Sequence, residues 1–229
     1  MIGYLVVVYA GLAHAFEADH LIAVNSLVSR RNQIKEAVMD GVYWGLGHTS
    51  TIFFVAILMI GFKVVVGENI FSYLEGVVGL MLVFLGVSRL LKSFKNADHS
   101  HTYYHSHDGH QMHSHTYTHK HWYFVSTHSH PVLNNYRAAF SVGLVHGLAG
   151  SGALVVMVLA QMQTAVDGLL YILIFGLGSL LGMFLASGIF SIPFSKAMMN
   201  QGKMQVFFVV LSSVLCIGYG LKVIIEHWL

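Results

Sequence analysis

Four ionisable side chains crowd seven consecutive positions of an otherwise apolar stretch: His14, Glu17, Asp19 and His20. Imidazole nitrogens and carboxylate oxygens together form a donor set for divalent first-row transition metals. Each charged group at the centre of a bilayer costs about 2.5–3.5 kcal/mol on insertion scales. A chain that keeps four such groups there needs a compensating partner, and a doubly charged cation supplies one. On a regular helix, at 100° per residue, His14, Glu17 and His20 form one stripe while Asp19 turns about 140° away from His14. Either the helix is distorted here, or Asp19 stands behind an imidazole and fixes its tautomer. Glu17 reads as a ligand, a proton carrier or the partner of a cation. Asn25 returns to the His14 face about 16 Å further along.

Further donors lie at a distance in sequence. His48 is followed by Thr49, Ser50 and Thr51, whose hydroxyls can bond helix carbonyls or line a polar path, and His146 is surrounded by Gly143, Gly147, Gly150 and Gly152. The candidate metal ligands or proton-coupling groups read from these residues are His14, Glu17, Asp19, His20, Asn25, His48 and His146. His227, beside Trp228, receives no role. Eleven methionines invite a thioether copper site, but none clusters with the His motif.

These residues need elements that hold them inside lipid. The 229 residues are 55% hydrophobic and only 10% charged, with a mean hydropathy of +0.66. A soluble domain carries about 25% charged residues, so the chain reads as an all-α polytopic membrane protein. Six stretches are long enough to span about 30 Å of hydrocarbon: roughly 2–28, 40–61, 70–91, 136–160, 166–192 and 204–225. Two prolines and no alternating ten-residue pattern argue against a β-barrel. The first stretch lacks a basic leader and carries the ionisable motif, so it reads as a span rather than a removable signal. The single cysteine, Cys216, can form no internal disulfide.

Ten of the twelve Lys and Arg residues fall in or beside the 1–2, 3–4 and 5–6 connections, from Arg30, Arg31 and Lys35 to Lys196 and Lys203. The positive-inside rule makes those connections cytoplasmic and puts both termini outside, in a multi-pass protein of the cytoplasmic membrane. His14 then sits near the midplane.

The chain also repeats itself. Gly11-Leu12-Ala13-His14 recurs as Gly143-Leu144-Val145-His146, and Gly45-Leu46-Gly47-His48 as Gly176-Leu177-Gly178-Ser179, at offsets of 132 and 131; Gly86 matches Gly218. Three spans per half is an odd number, so the halves run in opposite directions. Inverted repeats of this kind bind their substrate near the midplane. The organisation expected is a first three-helix repeat over 1–95, a segment over 96–134, and a second three-helix repeat over 135–229. That middle segment holds eleven of sixteen histidines: His99, His101, His105, His107, His110, His113, His115, His119, His121, His128 and His130. Its low apolar content predicts a cytoplasmic loop, disordered without metal, whose imidazoles bind nickel, cobalt, zinc or copper.

His14-Ala-Phe-Glu17-Ala-Asp19-His20 resembles the H-x4-D-H signature of the nickel/cobalt transporter superfamily (NiCoT/NicO), and Leu46-Gly47-His48-Thr49 resembles its second-helix motif. Residues Gly143 to Leu154 are similar to the H-G-L-A-G-S stretch of the urease accessory protein UreH branch. The resemblance covers all six spans but not the histidine-rich segment. It implies transport of nickel(II), sometimes cobalt(II), without ATP hydrolysis, with ligand roles for His14, Asp19, His20 and His48. Two features depart from the longer permeases: Glu17 stands where they have aspartate, and no acid occurs at Gly150-Ser151-Gly152. A histidine-rich cytoplasmic loop is similar to that of the efflux proteins of the same superfamily, which leaves direction open.

The function expected is a metal permease using no cofactor, the ion being cargo, with lipid and a cytoplasmic metallochaperone as partners and no nucleic acid. An enzyme is not expected, since no HExxH motif and no nucleophile is evident. A membrane metal sensor or scaffold for metallochaperone docking is the remaining class.

Overall fold

The structure is a computed structural model that describes residues 2–29, 31, 33–62, 67–94, 98–105, 113–120, 136–149, 164–195 and 202–229. Seven α-helices are described: α1 (Ile2–His14), α2 (Ala18–Val28), α3 (Ile34–Phe62), α4 (Glu68–Phe94), α5 (Tyr136–Ala149), α6 (Ala165–Ser191) and α7 (Gly202–Trp228). Four of them, α3, α4, α6 and α7, are long and apolar enough to cross a membrane. The pair α1 and α2 makes a fifth if counted as one bent span. Large apolar side chains such as Leu5, Phe54, Phe84, Leu181 and Phe207 project outward, while the buried polar groups turn inward. The outer surface suits lipid and the interior holds the polar chemistry. The protein is a multi-pass membrane protein.

The span expected over 2–28, for which a distortion at the motif was one of two alternatives, is broken. α1 and α2 meet at a 58° bend. The amides of Phe16 and Glu17 bond back to the carbonyls of Ala13 and His14, at 2.9 and 3.0 Å, which tightens the last turn of α1 into i→i−3 geometry. Glu17 is extended (φ −65°, ψ 155°) and caps α2, whose first bond runs from the Leu21 amide to the Glu17 carbonyl. The bend rests on α6: Ala15 is fully buried, and a Cβ at Gly182 would come within 2.5 Å of its methyl carbon.

Close packing follows from small residues placed where backbones meet. A Cβ on Gly11 would collide with the carbonyl oxygen of Phe175 and approach the Ser179 amide at 2.9 Å. A Cβ on Gly143 would collide with the carbonyl oxygen of Trp44 and approach the His48 amide at 3.0 Å. Both members of the two contacts are related by the offsets of 132 and 131 that relate the sequence motifs. Thus α1 lies on α6 as α5 lies on α3, while α3 packs on α6 and α4 on α7. The span expected over 136–160 is described only as far as Ala149, and 150–163 lie outside the described residues.

Helix α6 is capped by Thr164, whose Oγ1 accepts from the Asp167 amide at 3.1 Å. It ends in a 3-10 turn, Ile192–Phe194, that contains Pro193. Between α4 and α5 the backbone forms an antiparallel hairpin. β1 (Asp98–His105) pairs with β2 (His113–Lys120), with His101 opposite Tyr117 and His105 opposite His113. Composition led to an expectation of disorder for this stretch. Its Thr and Tyr residues (Thr102, Tyr103, Tyr104, Thr116, Tyr117, Thr118) are good strand formers, which accounts for the difference. His107, His110, His121, His128 and His130 lie outside the described residues.

Candidate metal centre

Four imidazoles converge where the bent span meets α3 and α5. His14 is the last residue of α1 and His20 lies in the first turn of α2. His48 lies mid-way along α3, and His146 in the last turn of α5. His20, His48 and His146 are fully buried and His14 is 5% exposed. Ring centroids lie 4.5 Å apart for His14–His20, 5.4 Å for His14–His48, 5.2 Å for His20–His48 and 4.2 Å for His20–His146. The bend resolves the angular difficulty of a straight helix. It frees Asp19 to face the interior alongside His20, with its carboxylate between His20 and His146.

The carboxylates determine which ring nitrogens remain. His20 Nδ1–H donates to Asp19 Oδ1 at 3.0 Å, and His146 Nε2–H donates to Asp19 Oδ2 at 2.9 Å. His14 Nδ1 pairs with Glu17 Oε1 at 3.0 Å. An ionised carboxylate only accepts, so each bonded nitrogen carries the hydrogen and the other nitrogen carries a lone pair. Those others are His14 Nε2, His20 Nε2 and His146 Nδ1. All three are buried and, like both nitrogens of His48, find no hydrogen-bond partner among the described residues. A buried polar atom left unpaired costs about 1–3 kcal/mol.

Two groups of donor atoms are close enough to share an ion. His14, His20 and His48 can offer nitrogens all within 4.8 Å of one another, as can Asp19, His20 and His146 with their own donors. With metal–nitrogen bonds of about 2.0–2.1 Å, two ligands on one ion can be at most about 4.2 Å apart. The rings need only a small inward movement. In the second group both Asp19 oxygens are already engaged by imidazole N–H groups, so Asp19 is better suited to orienting His20 and His146 while adding negative charge.

The surroundings are apolar and aromatic. Phe175 lies 5.4 Å from the His14 ring, and Trp44 lies 5.6 Å from His20 and 5.8 Å from His146. Thr49 Oγ1 donates to the Gly176 carbonyl at 3.1 Å, and Thr51 Oγ1 faces the carbonyls of Gly47 and Leu144 at 3.2 and 3.1 Å. These hydroxyls tie α3 to α6 and α5. Asn25 lies five residues beyond His20, about 7.5 Å further along α2.

A cavity of about 260 Å³ opens beside the bend. Glu17, Asp19, Glu75, Tyr219, Glu226 and His227 line it. His227 Nε2 lies 2.8 Å from Glu75 Oε2, and its Nδ1 lies 3.1 Å from Ser72 Oγ. Sequence reading passed over Glu75, whose α4 position is 152 residues from His227. It also passed over Trp44, and over Ser179, which is buried and stands at the offset of 131 from His48; that repeat was the available signal.

Residues 10–222 match the family described as "Cytochrome C biogenesis protein transmembrane region". Over 185 residues the chain is 36% identical to the urease accessory protein UreH of Bacillus sp. (strain TB-90), an alignment that covers 81% of this chain and 74% of that relative. The chain belongs to the UreH-like membrane family. No solved structure matches it. The UreH-like assignment agrees with the resemblance carried by His14–His20 and Gly143–Leu154.

Proposed function

We propose that this UreH-like protein is a carrier that moves nickel(II), with cobalt(II) as the nearest competitor, across the cytoplasmic membrane. One observation carries the reading: the unpaired, lone-pair-bearing nitrogens of His14 and His20 sit with His48 in a buried cluster at a helix break, backed by carboxylates. His14, His20 and His48 hold the ion. Asp19 orients His20 and His146, and Glu17 orients His14. Two carboxylates largely neutralise a divalent ion, which removes most of the Born cost of burying it.

The cavity lined by Glu17 and Asp19 is the route by which the ion reaches the imidazoles. Its acidic lining attracts cations. The two halves act as inverted three-helix repeats around the site, a reading supported by the duplicated Gly11–Phe175 and Gly143–Trp44 contacts. The histidine-rich segment over 96–134 collects ions on the cytoplasmic side, where a metallochaperone exchanges them. That segment serves uptake as a sink or efflux as a feeder. Export is the second reading, and it rests on that segment alone.

Flux of radioactive nickel in oriented proteoliposomes, with cobalt and zinc as competitors and a pH gradient imposed or dissipated, tests the proposal. Nickel accumulation abolished by His48→Ala in protein that still inserts is the expected result. Binding without flux in either direction would favour a sensor or scaffold and overturn the carrier reading.

A further inference from the structure

The end of α2 away from the cavity is clamped to its neighbours by named residues, beside a separate cavity of about 700 Å³ lined by Tyr43, Tyr136 and Phe140. Helix α2 is a rod of eleven residues, about 16 Å long. One end carries Asp19 and His20 and borders the cavity. The other end is clamped. Arg31, just beyond it, binds Asp40 of α3 through two parallel bonds, Nε to Oδ2 at 2.5 Å and Nη2 to Oδ1 at 2.7 Å. Both side chains are nearly buried, at 12% and 5% exposure. The Arg31 guanidinium also lies 5.3 Å from the ring of Tyr136, at the start of α5. Tyr136 stacks on Tyr43 of α3 at 4.9 Å with a 3° interplanar angle. Arg89, near the end of α4, donates to the Ser29 carbonyl. Glu75 and Arg89 are fourteen residues apart on α4, about 21 Å along its axis. The clamp and the cavity are therefore at opposite ends of the helices that line them.

Between the clamp and the histidines lies an apolar layer. Ala23, Val24, Leu27 and Val28 of α2 are buried with Ala37 and Trp44 of α3 in one cluster. No ion crosses such a layer without the helices parting. Among the described residues, the cavity reaches Asp19 from one side, and this apolar cluster lies toward the other.

We infer that the Arg31–Asp40 pair, with Tyr136 over the guanidinium and Arg89 on Ser29, is the gate on the face opposite the cavity, and that α2 is the element it holds. Ion passage to that face requires the pair to separate and α2 to leave α3. A fork-to-carboxylate pair suits this task because it is directional: it re-forms in one geometry, so the closed state is well defined. Bonding to Asp40 raises the Arg31 pKa, so Arg31 stays charged across the physiological range. The inference rests on the carrier reading for its physiological meaning, but the closure itself can be tested without nickel flux.

The test uses the full-length protein with Cys216→Ser, so that introduced cysteines report alone. Ser26→Cys places a thiol on α2 between His20 and Arg31, at a position fully buried in the closed state. A membrane-impermeant thiol reagent is applied from each face of sealed vesicles. Adding Asp40→Asn is expected to raise labelling of that thiol from the arginine-bearing face at least about tenfold, a shift of about 1.4 kcal/mol in the opening equilibrium. Unchanged labelling overturns the gate.

Should Asp40→Asn fail to insert, a second variant decides. Arg31→Cys with Asp40→Cys, tied by a short reducible crosslinker, replaces the ion pair with a covalent one. Crosslinked protein is expected to lose nickel flux at least tenfold, to keep nickel binding from the cavity face, and to recover flux on reduction. Flux unaffected by the crosslink overturns the gate while leaving the carrier reading intact. Absence of flux in the parent protein defeats the carrier reading, and the labelling result still judges the gate.

Discussion

Asp19→Asn tests the division of labour inside the site. Asp19 accepts two imidazole N–H groups, at 3.0 Å from His20 and 2.9 Å from His146. An amide retains one acceptor oxygen and presents an NH2 on the other side, so one imidazole keeps its bond and the other meets a donor. Loss of such an outer partner costs about 10–100-fold in metal affinity, or about 1.4–2.7 kcal/mol. The substitution also removes one negative charge. The ion would lie about 6–7 Å from it, across an imidazole ring, where an effective dielectric of about 20 gives about 2–3 kcal/mol per unit of ion charge before screening. The combined expectation is a loss of at least about 100-fold. Nickel titration calorimetry on detergent-solubilised protein reads it directly, and a thermal melt without metal verifies the fold. His146→Ala in the Asp19→Asn background should then cost less than in the parent, because the two residues act through one carboxylate. Affinity of Asp19→Asn within about threefold of the parent, or full additivity with His146→Ala, would refute the reasoning.

His14→Ala and His48→Ala should each remove measurable nickel binding and flux while the protein still inserts. Glu17→Gln should cost only about tenfold, since Glu17 is half exposed and pairs with His14; both are read by the same titration. Gly143→Ala drives a methyl against the Trp44 carbonyl. It should destabilise by about 1–3 kcal/mol, seen as a lower melting temperature, and weaken nickel binding through the displaced His48. Protons and the cation compete for the same ring nitrogens, so binding should weaken steadily on acidification and release protons, read as a buffer-dependent enthalpy. Deleting residues 99–130 should change apparent affinity or regulation but leave flux; complete loss in folded protein would place the segment on the ion path.

His14, His20 and His48 were legible because ionisable groups are conspicuous in apolar sequence, and their burial and proximity follow from the helices that carry them. His146 was visible through its repeat of His14, though nothing local pointed to its bond with Asp19, 127 residues away. The break at Ala15–Glu17 was only half legible. The angular conflict of Asp19 demanded either a distortion or an indirect role; the helix breaks there, and Asp19 bonds His20 and His146. No proline or glycine marks the break, which comes from tertiary contacts such as Ala15 on Gly182. The Glu75–His227 pair and the Arg31–Asp40–Tyr136 clamp were not legible, since each joins helices whose pairing no periodicity reveals. The hairpin was missed because histidine content concealed alternating Thr and Tyr.

Beginning α2 at Ala18 has an electrostatic consequence for the unloaded protein. Asp19 falls in the first turn of a helix whose amide end lies beside the buried imidazoles. Aligned peptide dipoles give such an end the equivalent of about half a positive charge. The carboxylate is therefore partly balanced by the backbone before any cation arrives, and a cation adds to that balance instead of supplying all of it. On the carrier reading proposed above, the empty site would reorient with its acid already partly neutralised.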